Sequence, residues 1–181
     1  MTASRNLSMK GETVIPINSQ PKVQLWTLGQ QSAKAFCELV PVDYLETTLG
    51  PKFFLAHWEE VGQDKTWQPE ANYDYYRALE AAGMLQITGL FVDNEPAGYF
   101  STVVGPSLHY KGKILATSDM FYIQPEHRAH YATMLFRNAA EYAKLAGADK
   151  FYLAFKIYKD ITPLLKRLKF SIVESVAVKK L

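Results

Sequence analysis

Apolar positions along this chain change their period several times, and each change marks an element. KVQLWTL, Lys22 to Leu28, is rich in Val, Leu, Trp and Thr and predicts a first strand. Gln30 to Val40 reads as a helix that Pro41 closes. Val42 to Gly62 is expected to be helical in part, with Phe53, Phe54 and Trp58 on one face. Asp64 to Pro69 is a polar break. Glu70 to Ala82 resumes as a helix, and Gly83 stands where a C-terminal cap belongs.

The pattern then turns to strands. LQITGLFVDNEPAGYFSTVVG holds two apolar, β-branched runs joined by Asp93-Asn94-Glu95-Pro96, a hairpin signal. Another strand spans Ile114 to Ile123 and ends at Pro125. Arg128 to Ala146 reads as a helix, because Tyr131, Leu135, Ala139, Tyr142 and Leu145 recur at spacings of three and four. Gly147 stops it. A strand over Asp149 to Lys156, a short helix over Ile161 to Leu168 and a last strand over Phe170 to Val178 complete the order. Three consecutive strands followed by strand–helix alternation imply an α/β (α+β) domain, a mixed sheet covered by helices.

Composition narrows the function classes. The chain has 181 residues, 48% hydrophobic and 21% charged, which suits one domain with a packed core. Its net charge of +2 gives no argument for nucleic acid or an anionic membrane. No apolar run approaches the ~18 residues of a membrane span. Residues 1–21 are Ser-, Asn-, Gly- and Pro-containing, lack the apolar core of a secretory signal, and are expected to be a loose leader before a domain over 22–181. The single cysteine, Cys37, rules out an intramolecular disulfide and suits a reducing, cytoplasmic setting. It sits in AFCELV, read as an apolar helix face, where it acts as a small buried hydrophobe.

The candidate chemistry gathers where a strand runs into a helix, at IQPEHRAHYATMLF. A helix start leaves backbone N–H groups unpaired and carries partial positive charge, so a strand feeding into it can hold an anion such as phosphate. Arg128 adds a cation there, and Ala129 and Ala132 are small, although no glycine is present. An anion site and a plain solvated helix start both fit these residues.

The order of elements resembles the GNAT superfamily of acetyl-CoA-dependent N-acetyltransferases. That family joins a strand ending in an apolar-x-apolar-x-Pro pattern to Gln/Arg-x-x-Gly-x-Gly/Ala and an amphipathic helix. Here the counterparts are Phe121-Tyr122-Ile123-Gln124-Pro125-Glu126, then His127-Arg128-Ala129-His130-Tyr131-Ala132, then a helix with Leu135. FYLAFK, TPLLKRLKF and SIVESVAVKKL come next in the family's order, so the resemblance spans roughly residues 22 to 181. It is nearest in style to small GNAT proteins of tailed bacteriophages. His127 stands for the family's Gln or Arg, His130 for its first glycine, Lys169 for the Gly of Gly-Phe, Leu165 for a frequent tyrosine acid and Tyr158 for a frequent asparagine.

The resemblance implies a mostly antiparallel, twisted sheet of six to seven strands and direct acetyl transfer from acetyl-CoA to an amine, with no metal. Backbone N–H groups across His127, Arg128, Ala129, His130, Tyr131, Ala132 and Thr133 would hold the pyrophosphate. The strand end at Phe121, Tyr122 and Ile123 would pair with the pantetheine like an added strand. A lysine-like ammonium is about one part in a thousand neutral at pH 7, so a base is needed. Asp119 is the candidate, placed on the face of Phe121 by alternation, with Thr117 beside it to hold a water. A buried, hydrogen-bonded structural Asp is the other reading. Tyr158 is the candidate general acid.

Glu59 and Glu60 either line the acceptor pocket or form a solvated helix face, and Lys156, Lys159 and the Lys166-Arg167-Lys169 cluster either meet phosphate or solvent. Trp67, Tyr73, Tyr75 and Tyr76 form an aromatic patch suited to core, rim or an amine pocket. His57 and His109 have no partner pattern for a metal. Two further functions stay open: a catalytically inactive GNAT-fold interaction or virion-associated protein, and, weakly, a nucleic-acid binder. The acceptor is expected to be a small-molecule or protein amine, with no nucleic-acid or membrane partner, a homodimer possible in this fold, and a cytoplasmic location, the host cytoplasm if phage-encoded.

Overall fold

A computed structural model describes residues 34–179. The leader, the strand expected at Lys22 to Leu28 and the start of the helix expected from Gln30 lie outside the described residues.

The remainder of that helix is a strand. β1, Ala35–Leu39, pairs antiparallel with β2, Leu85–Val92. Tertiary context overrides the helical reading here: Phe36 stacks on Phe91 at 5.0 Å, and Cys37 is buried against the face that carries Leu90. Cys37 is thus buried as expected, on a strand. Val42–Tyr44 (α1), a π-helical turn at Leu45–Leu49 and Gly50–Val61 (α2) come next. α3, Tyr73–Ala81, is capped by the Asn72 side chain accepting from the Tyr75 amide, and it ends at Gly83 with φ +67°.

β2 and β3 (Glu95–Pro106) form the expected hairpin. Its turn residues Asp93 and Asn94 have φ of 52° and 67°, the left-handed values that a two-residue hairpin turn demands. β4, Ile114–Ile123, extends the antiparallel ladder, and β5, Lys150–Tyr152, joins it in parallel, giving a mixed sheet in the order β1-β2-β3-β4-β5.

The sheet has five strands among the described residues rather than six or seven. β5 is cut to Lys150–Tyr152, and residues 170–179 join no ladder. Lys169, at φ +62°, turns the chain after α5 (Thr162–Arg167), and the run beyond it leaves Ile172, Val173 and Val176 exposed.

Helices cover both faces. On one, Val42, Leu45, Leu49 and Phe53 pack on Leu85, Ile87, Tyr99 and Tyr122. On the other, Leu135, Phe136 and Ala139 of α4, Pro125–Leu145, pack on Leu90, Phe100 and Ile123. No helix among the described residues is long and apolar enough to cross a membrane.

Candidate active site

The sheet opens at one place. β4 and β5 pair only from Leu115↔Lys150 to Thr117↔Tyr152. Where the ladder stops, the Ser118 hydroxyl oxygen accepts from the Ala154 amide at 2.9 Å, and the chain after β5 swings away. Beyond that point β4 pairs on its β3 side alone. The edge of Asp119 to Ile123 is left facing a cleft between α2 and the segment after β5.

Alternation alone misplaces Asp119. Phe100 pairs with Phe121 and Thr102 with Ser118, so Ser101 stands opposite both Asp119 and Met120. This bulge reverses the facing of everything beyond it. Phe121 packs toward α4 with Phe100 and Phe136, whereas Met120 and Tyr122 pack on the α2 side. Asp119 also faces the α2/α3 side, not the face of Phe121: it accepts a hydrogen bond from the Tyr76 hydroxyl at 2.6 Å. It is exposed to the cleft, as is Thr117 two residues earlier. Burial, and then the Asp119 carboxylate, push the Tyr76 phenol well above its ordinary range, so it remains a donor.

The helix start also differs from expectation. α4 begins at Pro125, three residues before Arg128, because Pro is pre-organised for the first helical position. The amides of Ala129 to Thr133 therefore lie within the helical ladder and not at its open end. Of the amides before them, Gln124 donates to Ala97 O, Pro125 has none, and His127 turns back to Gln124 O. The Glu126 N–H has no backbone partner among the described residues. Phe121, Tyr122, Ile123, Arg128 and Ala132 line the cleft. His127, Ala129, His130, Tyr131 and Thr133 stand outside that lining, with His127 and His130 grouped around the Tyr131 ring.

Arg128 is engaged. Its Nε donates to Ile123 O at 2.8 Å, and its two terminal nitrogens meet the Glu60 carboxylate at 3.0 and 2.5 Å. Lys159 reaches the same carboxylate at 3.1 Å, so one anion from α2 bridges two cations. Burial raises the Glu60 carboxyl, but the hydrogen bonds and charges of Arg128 and Lys159 outweigh it and leave it below its ordinary value. Tyr158 donates its hydroxyl proton to Val61 O at 2.9 Å. Together Lys159 and Tyr158 strap the segment after β5 to the end of α2.

His57 has no partner within its own stretch of the sequence. In the fold it lies one turn before Glu60, with Nδ1 at 2.7 Å from the Tyr99 hydroxyl and its ring 5.5 Å from that of Tyr122. Burial lowers its pKa. No local signal reports this pair, since 42 positions separate the partners.

The same fold recurs among solved structures. No protein-family model matches the chain, and no curated protein matches it in sequence. An aminoglycoside acetyltransferase, meta-AAC0020, from an uncultured soil metagenomic sample superposes with a TM-score of 0.59 at 14% identity, over 81% of this chain and 94% of its own. A ribosomal-protein-alanine N-acetyltransferase from Brucella melitensis biovar Abortus 2308 gives 0.61 at 18% identity, over 81% and 99%. The aminoglycoside N-acetyltransferase AAC(6')-Iy, solved with CoA, gives 0.63 at 13% identity, over 84% and 98%. With its forked mixed sheet and flanking helices, the chain has the GNAT fold.

Proposed function

We propose that the protein is an N-acetyltransferase that transfers acetyl from acetyl-CoA to a primary amine of a small molecule or protein. The observation that carries this reading is the unpaired β4 edge, Asp119 to Ile123, bordered on one side by a carboxylate and on the other by Arg128 at the start of a long helix. An extended pantetheine arm adds to such an edge as a strand would. Phe121, Tyr122 and Ile123 supply its main-chain groups, one of which can donate to the thioester carbonyl as charge develops there. The Glu126 amide and the Arg128 guanidinium face the phosphates, the latter once Glu60 yields it. Asp119, held by Tyr76, fixes the acceptor ammonium beside the thioester.

A second reading is a non-catalytic binding protein of the same fold. It is favoured by the engagement of Arg128 with Glu60 and by the enclosure of the Ala129 to Thr133 amides in the helical ladder. Calorimetric titration with acetyl-CoA and with CoA tests both. Micromolar binding followed by amine-dependent thiol release supports the enzyme, binding without turnover supports the second reading, and no binding at millimolar ligand refutes the cosubstrate for either.

A further inference from the structure

His57 is the group in the cleft that the acyl-transfer reading leaves unused. It projects from α2 and lines the cleft together with Tyr122, a residue of the unpaired β4 edge. Its Nδ1 lies 2.7 Å from Tyr99 Oη. That hydroxyl also lies 3.7 Å from Met120 Sδ, a second acceptor its proton can reach. A phenol has one proton, and once it points to sulfur the oxygen is left to accept from Nδ1–H. The proton on Nδ1 then makes Nε2 the lone-pair nitrogen. Among the described residues Nε2 has no hydrogen-bond partner. Tyr99 is fully buried, and burial holds its phenol well above the ordinary range, so it does not ionise and compete for the proton.

We propose that His57 is a catalytic residue of the acyl transfer, with Nε2 taking the proton that the attacking amine must lose, and that Tyr99 is the positioning residue that fixes its tautomer. This rests on the acyl-transfer reading.

The surroundings suit the role. Asp119 from β4 and Glu60 from α2 favour the charged ring, whereas Arg128 from α4 and Lys156 after β5 disfavour it. The phenols of Tyr99 and Tyr122 complete its cage. Burial is the largest influence, and it leaves a neutral imidazole at pH 7, the form a base requires. Binding and proton removal are then divided: the Asp119 carboxylate binds the cation and the imidazole removes its proton.

The proton and electron count closes. The acceptor enters as an ammonium and gives one proton to Nε2. Its nitrogen forms a bond to the thioester carbonyl carbon, the C–S bond breaks, and that electron pair leaves on sulfur. The imidazolium returns its proton to the thiolate, and the second nitrogen proton passes to solvent. Ammonium plus thioester thus yields amide, thiol and one free proton.

Nitrogen-15 NMR of the full-length protein reads the tautomer directly. The expected result at pH 7 is a protonated Nδ1 and a bare Nε2 for His57, a preference lost in Tyr99→Phe. With acetyl-CoA and n-butylamine as the probe pair, His57→Gln is expected to lose at least about 100-fold in kcat while its calorimetric affinity for CoA stays within about twofold. The acid limb of the wild-type kcat/KM profile, set below the ordinary histidine value of about 6.5, should vanish with it. A proton on Nε2 at pH 7, or a variant that keeps both the rate and the acid limb, overturns the assignment. A wild type that gives no heat with acetyl-CoA overturns the acyl-transfer reading instead, and the two failures are distinguishable.

Discussion

Replacing Glu60 by glutamine should tighten the binding of CoA. In the free protein the Glu60 carboxylate occupies the fork of Arg128 and also holds Lys159. Arg128 stands in the first turn of α4, and a phosphate arriving there meets a negative charge already in place. Glutamine keeps the shape and the acceptor oxygen but removes the charge. The side chains of Glu60 and Arg128 are 24% and 38% exposed, so an effective dielectric between protein interior and water applies. At a separation of about 5 Å and a dielectric of roughly 40–80, a carboxylate repels each phosphate charge by about 1–2 kcal/mol. That corresponds to a dissociation constant about 5- to 30-fold lower in the variant. Calorimetry of wild type and Glu60→Gln at about 0.05 M and 1 M salt reads the effect, and the gap should shrink at high salt, where the screening length falls to about 3 Å. Equal or weaker binding by the variant at low salt would refute this electrostatic competition, and the phosphates would then lie away from Arg128.

Three further outcomes come from packing and titration. Phe53 is 1% exposed and packs its ring on Tyr99 and Tyr122, so Phe53→Ala should cost about 3–5 kcal/mol and lower Tm by roughly 6–20 °C; a loss under about 1 kcal/mol would contradict its place in the core. A methyl group at Gly98 would lie 2.5 Å from Tyr122 O and 3.0 Å from Ile123 Cα, both in the backbone of the β4 edge. Gly98→Ala should therefore destabilise by about 1–3 kcal/mol and weaken CoA binding, and an unchanged melting curve would mean that this close approach is absent. Burial pushes the Cys37 thiol up to about 12, so its alkylation at pH 8 should be slow until the protein is unfolded. The native state holds this proton more tightly than the unfolded chain, so the contribution to stability is intact below the ordinary thiol value of about 8.5 and is lost as pH rises toward 12.

Local chemistry made some elements legible and hid others. The Asp93-Asn94 turn announced its hairpin because few residue pairs accept two consecutive left-handed conformations. β4 and the heart of α4 were legible from their periods. β1 was not, since AFCEL acquires its strand from Phe91 and Leu90 across the sheet. The bulge at Asp119-Met120 was invisible, because an inserted residue leaves composition untouched while it reverses the face of the residues beyond it. Asp119 is thus legible as a candidate, on the wrong face, and its Tyr76 partner comes from an aromatic patch that reads as core, rim or amine pocket. His57 and the Glu60 bridge to Arg128 and Lys159 were hidden because each joins segments far apart in the chain. The early start of α4 takes Ala129–Thr133 out of the candidate anion site expected over His127–Thr133 and leaves Glu126–Arg128 at the helix start.

The central claim is that the open β4 edge receives the cosubstrate. Amide NMR of the nitrogen-15-labelled protein during titration with acetyl-CoA tests it most directly. Pairing of the pantetheine with that edge predicts shifts and slowed exchange concentrated at Asp119 to Ile123 and at Glu126 to Arg128. Shifts centred elsewhere, or none at millimolar ligand, would contradict it.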